Sequence, residues 1–155
     1  MAAGRGGPAL SVSTDSKKIL LATGYSGYEN NDIHIYDIDN KSWIMTTKGQ
    51  YRARSVCPYC TLEISSKNLF IIFGGEVNTS DRGHEGAGDF ADDLIAIDDN
   101  GYVINTVNTG DIKPIARGWT SMTKIDTNKA LLFGGLSGND DNPTRHNDLW
   151  LLEIV

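Results

Sequence analysis

The stretch LFIIFGG, residues 69–75, is an apolar run that ends in two glycines. Two other stretches also end an apolar run in glycine: ILLATG at residues 19–24, with one glycine, and ALLFGG at residues 130–135, with two. Short runs rich in β-branched and aromatic residues that stop at a glycine are typical of β-strands. No stretch of the chain shows the 3.6-residue apolar spacing of an amphipathic helix. The sequence therefore predicts an all-β protein.

Two further features recur around each glycine run, always in the same order. An arginine precedes the run, and an acid-led strand follows it after a polar loop. The acid-led stretches are NDIHIYD at residues 31–37, DDLIAID at 92–98 and NDLWLLE at 147–153. The arginines, each predicted to open a first strand, are Arg5, Arg54 and Arg117. Three anchors in a fixed order indicate an internal repeat of about 50 residues, lengthened by inserted loops.

These repeats resemble those of the kelch family. Its marks are the apolar run into Gly-Gly, the acidic residue opening the third strand, and an aromatic residue starting the fourth, as in YDIDNKSW at residues 36–43. The resemblance implies that each repeat is a four-stranded blade of a β-propeller. It covers residues 5–155, with blade one at about 5–47, blade two at about 54–108 and blade three at about 117–155. An unrelated β-sandwich with glycine-rich turns is the alternative.

The glycine and the acidic residue each have a physical role in such a blade. Glycine lets the chain leave the sheet in a backbone conformation closed to other residues. The acidic side chain is expected to accept hydrogen bonds from backbone amides of a neighbouring turn.

The number of blades predicts an incomplete propeller. Blade three is expected to lack its fourth strand, which leaves about two and three-quarter blades, whereas propellers usually close with about four to eight. We therefore expect exposed edges, which invite pairing with another chain. Either further blades of a longer protein or a second copy of this chain would cover them. We favour the first.

The loop between the second and third strands of blade two, from Glu76 to about Phe90, is the predicted functional site. Loops of this kind gather on one face of a propeller, where ligands and partners bind. Its sequence is similar to that of plant specifier proteins, kelch proteins that depend on ferrous iron. Those proteins redirect glucosinolate breakdown toward nitriles, epithionitriles or thiocyanates.

The specifier resemblance implies a set of iron ligands in this loop. Glu76 and His84 match two of them, but Ser80 stands where the family has an aspartate. The adjacent Asp81 is the carboxylate that could take its place. Carboxylate and imidazole suit Fe(II), and a hydroxyl does not. The alternative for His84 is a hydrogen-bonding strut within a glycine-rich loop.

The same resemblance implies arginines that bind an anionic, sulfur-containing intermediate. Arg54 and Arg117 occupy the matching strand starts, and a guanidinium fork can bind two oxygens of a sulfate-like group. The alternative is that these arginines pair with acidic residues of adjacent blades. Trp119 is the tryptophan that we expect to face a ligand.

Composition and charge exclude other classes of function. The net charge of −6 argues against a nucleic-acid platform, because no basic patch is present to bind phosphates. The apolar runs are far shorter than a membrane span, and the N-terminus has no signal-peptide core, so the sequence predicts a cytoplasmic protein.

The motif CPYC, residues 57–60, looks like a glutaredoxin redox pair, which sits at the start of a helix. Here no helix follows. Three residues apart on an extended strand, Cys57 and Cys60 point to opposite faces and cannot chelate one ion. We interpret both as structural thiols.

The function favoured by the sequence is a kelch-type interaction module that binds a partner protein through its loop face. The first alternative is an iron-dependent, specifier-like activity with Glu76, Asp81 and His84 as ligands, together with Arg54 and Arg117. The second alternative is a fragment without independent function. The fold itself does not decide among them.

Overall fold

A computed structural model describes residues 2–82, 88–104 and 112–155. Within these residues the chain folds into β-strands joined by turns, with no helix and therefore none that could cross a membrane. The strands of the first half are β1 (Ala9–Val12), β2 (Lys18–Ala22), β3 (Asp32–Asp37), β4 (Ser42–Lys48), β5 (Tyr59–Ile64) and β6 (Lys67–Phe73). Those of the second half are β7 (Glu76–Asn78), β8 (Asp89–Phe90), β9 (Leu94–Asp98), β10 (Val103–Ile104), β11 (Ser121–Asp126), β12 (Lys129–Ser137) and β13 (Thr144–Glu153).

The strands form three antiparallel sheets and one short ribbon. Sheet one has the order β1-β2-β3-β4, sheet two β5-β6-β9-β10 and sheet three β11-β12-β13, while β7 pairs with β8 alone. This confirms the predicted all-β fold of propeller-type blades, which forms no closed ring. The predicted fourth strand of blade two, residues 101–108, is described only to Ile104, and there it pairs with β9.

The sheets stack face to face and bury two apolar layers. In the first layer Ala22 and Ile33 of sheet one pack with Phe70, Ile72 and other residues of sheet two. In the second layer Leu62 and Ile71 from the opposite side of sheet two pack with Ala130 of sheet three. Successive side chains of a strand point to opposite faces, so the continuous apolar runs of sheet two follow from burial on both of its faces.

Each arginine of the repeat has a buried guanidinium group that forms an ion pair with the partly exposed acidic residue of its own repeat. The Arg54 Nη1 atom lies 2.6 Å from Asp93 Oδ1, and Arg117 Nη1 lies 2.6 Å from Asp148 Oδ1. Arg5 pairs with Asp32 in the same way. The acidic residue was predicted to accept from backbone amides of a turn; it accepts from the guanidinium group instead.

The first strands begin later than the sequence predicts. We expected them to open on the arginines, but β5 begins five residues after Arg54, and β11 begins four residues after Arg117. The cause is the residue two positions after each arginine, which lies in the left-handed region: φ is 48° at Val56 and 53° at Trp119. A β-strand cannot continue through that conformation.

Backbone hydrogen bonds next to the arginines join consecutive blades. The Gly24 N–H group donates to the Arg54 carbonyl, and the Gly75 N–H group donates to the Arg117 carbonyl, each at 2.8 Å. In both cases the glycine of one blade bonds to the arginine of the next. The hydrogen bond that joins blade one to blade two therefore has an equivalent between blades two and three.

Candidate functional site

The candidate site lies where the loops of blades two and three meet. The β7–β8 ribbon extends beyond sheet two, and β12 and β13 continue as a hairpin whose turn is residues 138–143. Ser80 Oγ donates a hydrogen bond to Asp140 Oδ1 at 2.5 Å, and Arg82 Nη1 donates to the Asp140 carbonyl oxygen at 2.7 Å. These bonds connect the two loops.

A cavity of about 370 Å³ separates the two loops. Four carboxylates line it, two from each loop, and its remaining lining residues contribute amides, hydroxyls and backbone. The carboxylates belong to Asp81, Asp89, Asp140 and Asp141. Their charge favours cationic and hydrogen-bond-donating ligands over free anions.

Glu76 is a buried carboxylate next to this cavity. Its residue is 3% exposed, and its Oε1 atom accepts a hydrogen bond from the Gly88 N–H group at 3.1 Å. The Trp119 side chain and the Ser80 backbone N–H group also donate to it. Burial raises the pKa of Glu76, although these donors partly offset the effect. The fold thus holds Glu76 in place at the cost of desolvating it.

The backbone at Glu76 is equivalent in all three blades. Ser55 and Glu76 exchange a pair of backbone hydrogen bonds, each 2.9 Å long. The pairs at the same place in blades one and three are Gly6 with Tyr25, and Gly118 with Leu136. An acidic side chain therefore occurs at this position in blade two alone of the three.

The structure places the predicted iron ligands as follows. Glu76 is buried behind Gly88, which lines the cavity, and Asp81 lies exposed on the lining itself. The Ser80 hydroxyl is occupied, since it donates to Asp140 and accepts from the Arg82 N–H group at 2.9 Å. His84 lies outside the described residues.

The described residues alone do not make an iron site. Among residues 2–82, 88–104 and 112–155, no three His, Cys, Asp or Glu side chains are grouped so that they could hold a metal ion. Iron binding through Glu76, Asp81 and His84 stays a prediction.

The predicted anion-binding arginines lie in the interior. Arg54 and Arg117 are each 1% exposed. Besides its carboxylate partner, Arg54 donates to the Gly74 carbonyl and Arg117 donates to the Gly134 carbonyl, both at 2.9 Å. Both arginines pair with an acidic residue, as the alternative interpretation holds, but the partners Asp93 and Asp148 belong to the same repeats as the arginines and not to adjacent blades. Trp119 is 43% exposed and neighbours Glu76, but it does not line the cavity; that it faces a ligand stays a prediction.

Sequence reasoning missed Asp140. Asp140 belongs to blade three and lies 60 positions after Ser80 in the sequence. Its carboxylate accepts a hydrogen bond from the Ser80 hydroxyl, at the position where the specifier family has an aspartate. The available signal was GNDDN at residues 138–142, a concentration of amides and carboxylates in the equivalent loop of blade three.

The two cysteines are buried free thiols on opposite faces of sheet two. Cys57 belongs to the apolar layer shared with sheet one, and Cys60 belongs to the layer shared with sheet three. Burial raises the pKa of each thiol to about 12. Both observations support the interpretation of Cys57 and Cys60 as structural thiols.

Comparison with known proteins gives curated relatives and solved structures of similar fold. The chain is 31% identical over 128 residues to the N-(sulfonatooxy)prop-2-enimidothioate sulfolyase of Thlaspi arvense, a match that covers 80% of this chain and 36% of the relative. No family model matches the chain. The name of the relative indicates a specifier-type protein, and the chain spans little more than a third of its length.

The solved structure of YjhT has a TM-score of 0.69 with this chain at 15% sequence identity. The match covers 97% of this chain and 43% of that protein. At this identity the likeness shows the fold and nothing further.

Proposed function

We propose that this chain forms part of a specifier-type lyase that acts on a small sulfated imidothioate. The observation that carries the proposal is the Glu76 carboxylate, which is buried beside the cavity at a position where the other two blades have Tyr25 and Leu136. The similarity to a sulfolyase over four fifths of the chain supports it. The cavity volume of about 370 Å³ lies within the usual range for small-molecule sites.

Glu76 and Trp119 are the residues proposed to contact the substrate. The Trp119 indole is partly exposed and supplies an apolar surface for an alkenyl or thio group. Trp119 is one of the groups that lower the pKa of Glu76 by hydrogen bonding, so the two side chains are neighbours. A desolvated carboxylate with a raised pKa is the type of group that exchanges protons at functional sites.

The charge of the cavity sets a condition on this function. The carboxylates of Asp81, Asp89, Asp140 and Asp141 repel a sulfate ester, and the described arginines Arg54 and Arg117 are committed to ion pairs. Repulsion between exposed charges is screened by salt. We therefore expect the substrate to bind more tightly as ionic strength rises.

The test uses N-(sulfonatooxy)prop-2-enimidothioate as the probe. Sulfate release is followed by ion chromatography against the spontaneous rate, and binding is measured by calorimetry. We expect the wild-type chain to bind the probe and accelerate sulfate release, and Glu76→Gln to lower the rate at least about tenfold, as the loss of an acid–base group does. Glu63→Gln, on the distant strand β5, is the matched control. A wild-type chain that neither binds the probe nor accelerates its breakdown contradicts the proposal.

The acidic cavity supports a second candidate, the recognition of a basic segment of a partner protein. Here the four cavity carboxylates would pair with lysine or arginine side chains. The two candidates respond to salt in opposite ways, because a basic peptide binds less tightly as ionic strength rises. A lysine-rich peptide titrated into the chain at low and high salt separates them, with Asp140→Asn as the variant expected to weaken peptide binding.

A further inference from the structure

Blade two has a second polar side chain beside Glu76 that the other two blades lack. The residue that follows the repeated arginine is Gly6 in blade one and Gly118 in blade three, but it is Ser55 in blade two. Each of the three pairs through its backbone with the residue at the Glu76 position of its own blade. The backbone pair is therefore formed equally with glycine, and the Ser55 side chain is not needed to build it.

The Ser55 hydroxyl bonds to blade one. Ser55 is 2% exposed, and its Oγ atom donates a hydrogen bond to Oε1 of Glu29 at 3.4 Å. Glu29 is partly exposed and lies in the β2–β3 loop, the counterpart in blade one of the loop that holds Glu76. A buried hydroxyl needs a hydrogen-bond partner, and here that partner is a carboxylate of the neighbouring blade.

Hydrogen bonds of the next residue, Asn30, hold Glu29 in this place. Asn30 is 8% exposed, and its Nδ2 atom donates to the Gly24 carbonyl at 2.9 Å and to Ser26 Oγ at 3.0 Å. The Asn30 carbonyl accepts from the Arg54 N–H group at 3.1 Å. The short loop is thus joined to blade two at the residue before Ser55, so the position of Glu29 is fixed by the fold.

Glu29 lies close enough to Glu76 for their charges to interact. Burial is the main cause of the raised pKa of Glu76, and the negative charge of Glu29 raises it further. Trp119 neighbours Glu76, and its backbone N–H group donates to the carbonyl of Val56, the residue after Ser55, at 2.9 Å. One side chain from each blade therefore lies near Ser55: Glu29 from blade one, Glu76 from blade two and Trp119 from blade three.

The Glu29 carboxylate can distinguish ligands by whether they donate a hydrogen bond. A carboxylate offers about four acceptor positions, and the bond from Ser55 is long and therefore weak. A hydrogen bond to an ionised acceptor is about twice as strong as one between neutral groups. A ligand hydroxyl gains this bond, whereas an alkenyl group of the same size gains nothing from it.

We propose that Glu29, positioned by Ser55, is a specificity-determining residue of the site around Glu76, and that it selects a substrate whose side chain ends in a hydrogen-bond donor such as a hydroxyl group. This inference rests on the proposed lyase function and adds to it the class of substrate side chain. The sulfate end of such a substrate is repelled by Glu29, which favours the orientation that brings the side chain to it.

The test compares two sulfated imidothioates of equal charge and similar size. One is N-(sulfonatooxy)prop-2-enimidothioate, and the other carries a hydroxymethyl group in place of its vinyl group. Calorimetry gives Kd, and sulfate release gives kcat and KM. We expect the wild-type chain to bind the hydroxymethyl compound at least about tenfold more tightly, as one hydrogen bond to a charged group provides, with a similar kcat for both compounds.

Three variants identify the residue that selects the side chain. Glu29→Met keeps the side-chain length without the acceptor and is expected to bind both compounds equally, whereas Glu29→Gln retains an acceptor oxygen and is expected to keep part of the preference. Ser55→Gly introduces the residue of the other two blades, so it is expected to fold and to weaken the preference. Asp39→Asn removes a charge of the same sign in the β3–β4 turn, at the other end of β3, and is the control expected to keep the wild-type preference.

The possible failures separate this inference from the function on which it rests. Equal binding of both compounds by the wild-type chain overturns the role of Glu29 and leaves the lyase function standing. An unchanged preference in Glu29→Met, or in both Glu29→Gln and Ser55→Gly if Glu29→Met does not fold, places the selecting group elsewhere. Failure of both compounds to bind overturns the lyase function and this inference together.

Discussion

Replacing Arg54 with methionine tests whether the repeated arginines are structural struts or anion ligands. The Arg54 guanidinium donates to the Arg52 and Gly74 carbonyls at 2.9 Å and to both carboxylate oxygens of Asp93. It also lies 5.7 Å from the centre of the Tyr51 ring. Methionine keeps most of the apolar stem but donates no hydrogen bond.

The expected cost follows from the groups that lose their donor. The Gly74 carbonyl bond is buried, and an unsatisfied buried carbonyl costs about 1–3 kcal/mol. The Asp93 side chain is 51% exposed and regains water, so its ion pair adds little. The Arg52 carbonyl also loses its donor, and the guanidinium group no longer packs against its neighbours. Together these losses are expected to lower the free energy of unfolding by about 3–5 kcal/mol. This is a large share of the roughly 5–15 kcal/mol of an ordinary domain.

Urea denaturation measures this change. With a slope of about 2 kcal/mol per molar urea, a loss of about 4 kcal/mol lowers the midpoint by about 2 M. Arg52→Met, two positions earlier on an exposed side chain, is the control and is expected to stay within about 0.5 kcal/mol of wild type. The strut interpretation fails if Arg54→Met loses less than about 1 kcal/mol. It also fails if sulfate stabilises the wild type but not this variant, because linkage would then place the anion on Arg54.

Two further predictions follow from buried titratable groups. Because burial raises the folded-state pKa of Glu76 above its usual 4.5, the stability that it contributes is complete below pH 4.5 and is lost as pH rises through the raised value. Glu76→Gln should therefore unfold at a higher temperature than wild type at neutral pH and at an equal temperature near pH 4; an equal gap at both pH values contradicts this. Cys57 and Cys60, with a pKa of about 12, should react with Ellman's reagent at least about a hundredfold more slowly in the folded chain than in urea, and rapid reaction of either thiol would refute their burial.

Local patterns in the sequence predict the sheets well, because strand formation and burial depend on short runs of side chains. The run at residues 69–75 becomes β6 and its two glycines, both with positive φ. The late start of β5 could not be predicted, because it depends on a left-handed conformation at Val56, a β-branched residue that disfavours it. The interblade bond from the Trp119 N–H group to the Val56 carbonyl, 2.9 Å long, is a tertiary contact that no local pattern reveals.

The same distinction applies to the candidate site. The repeat pattern puts Glu76 in the connection between the second and third strands of blade two, and the structure has it there, at the start of β7 between β6 and β9. Its role as an iron ligand stays a prediction. Asp140 was missed because its contact with Ser80 joins two loops whose conformations are set by separate blades. Contacts of this kind depend on how the blades stack, and only the folded chain supplies that information.

The repeat itself provides the strongest argument that Glu76 is functional. The backbone bonds that fix this position are formed equally well with Tyr25 in blade one and Leu136 in blade three, so the scaffold does not require a carboxylate there. Burying one is unfavourable, and its raised pKa reports that cost. The fold nonetheless surrounds it with donors, Gly88 and Ser80 from blade two and Trp119 from blade three. A carboxylate that lowers stability in one repeat, at a position where the other repeats have none, is expected to serve binding or chemistry. Measuring both the stability and the activity of Glu76→Gln against wild type tests this expectation.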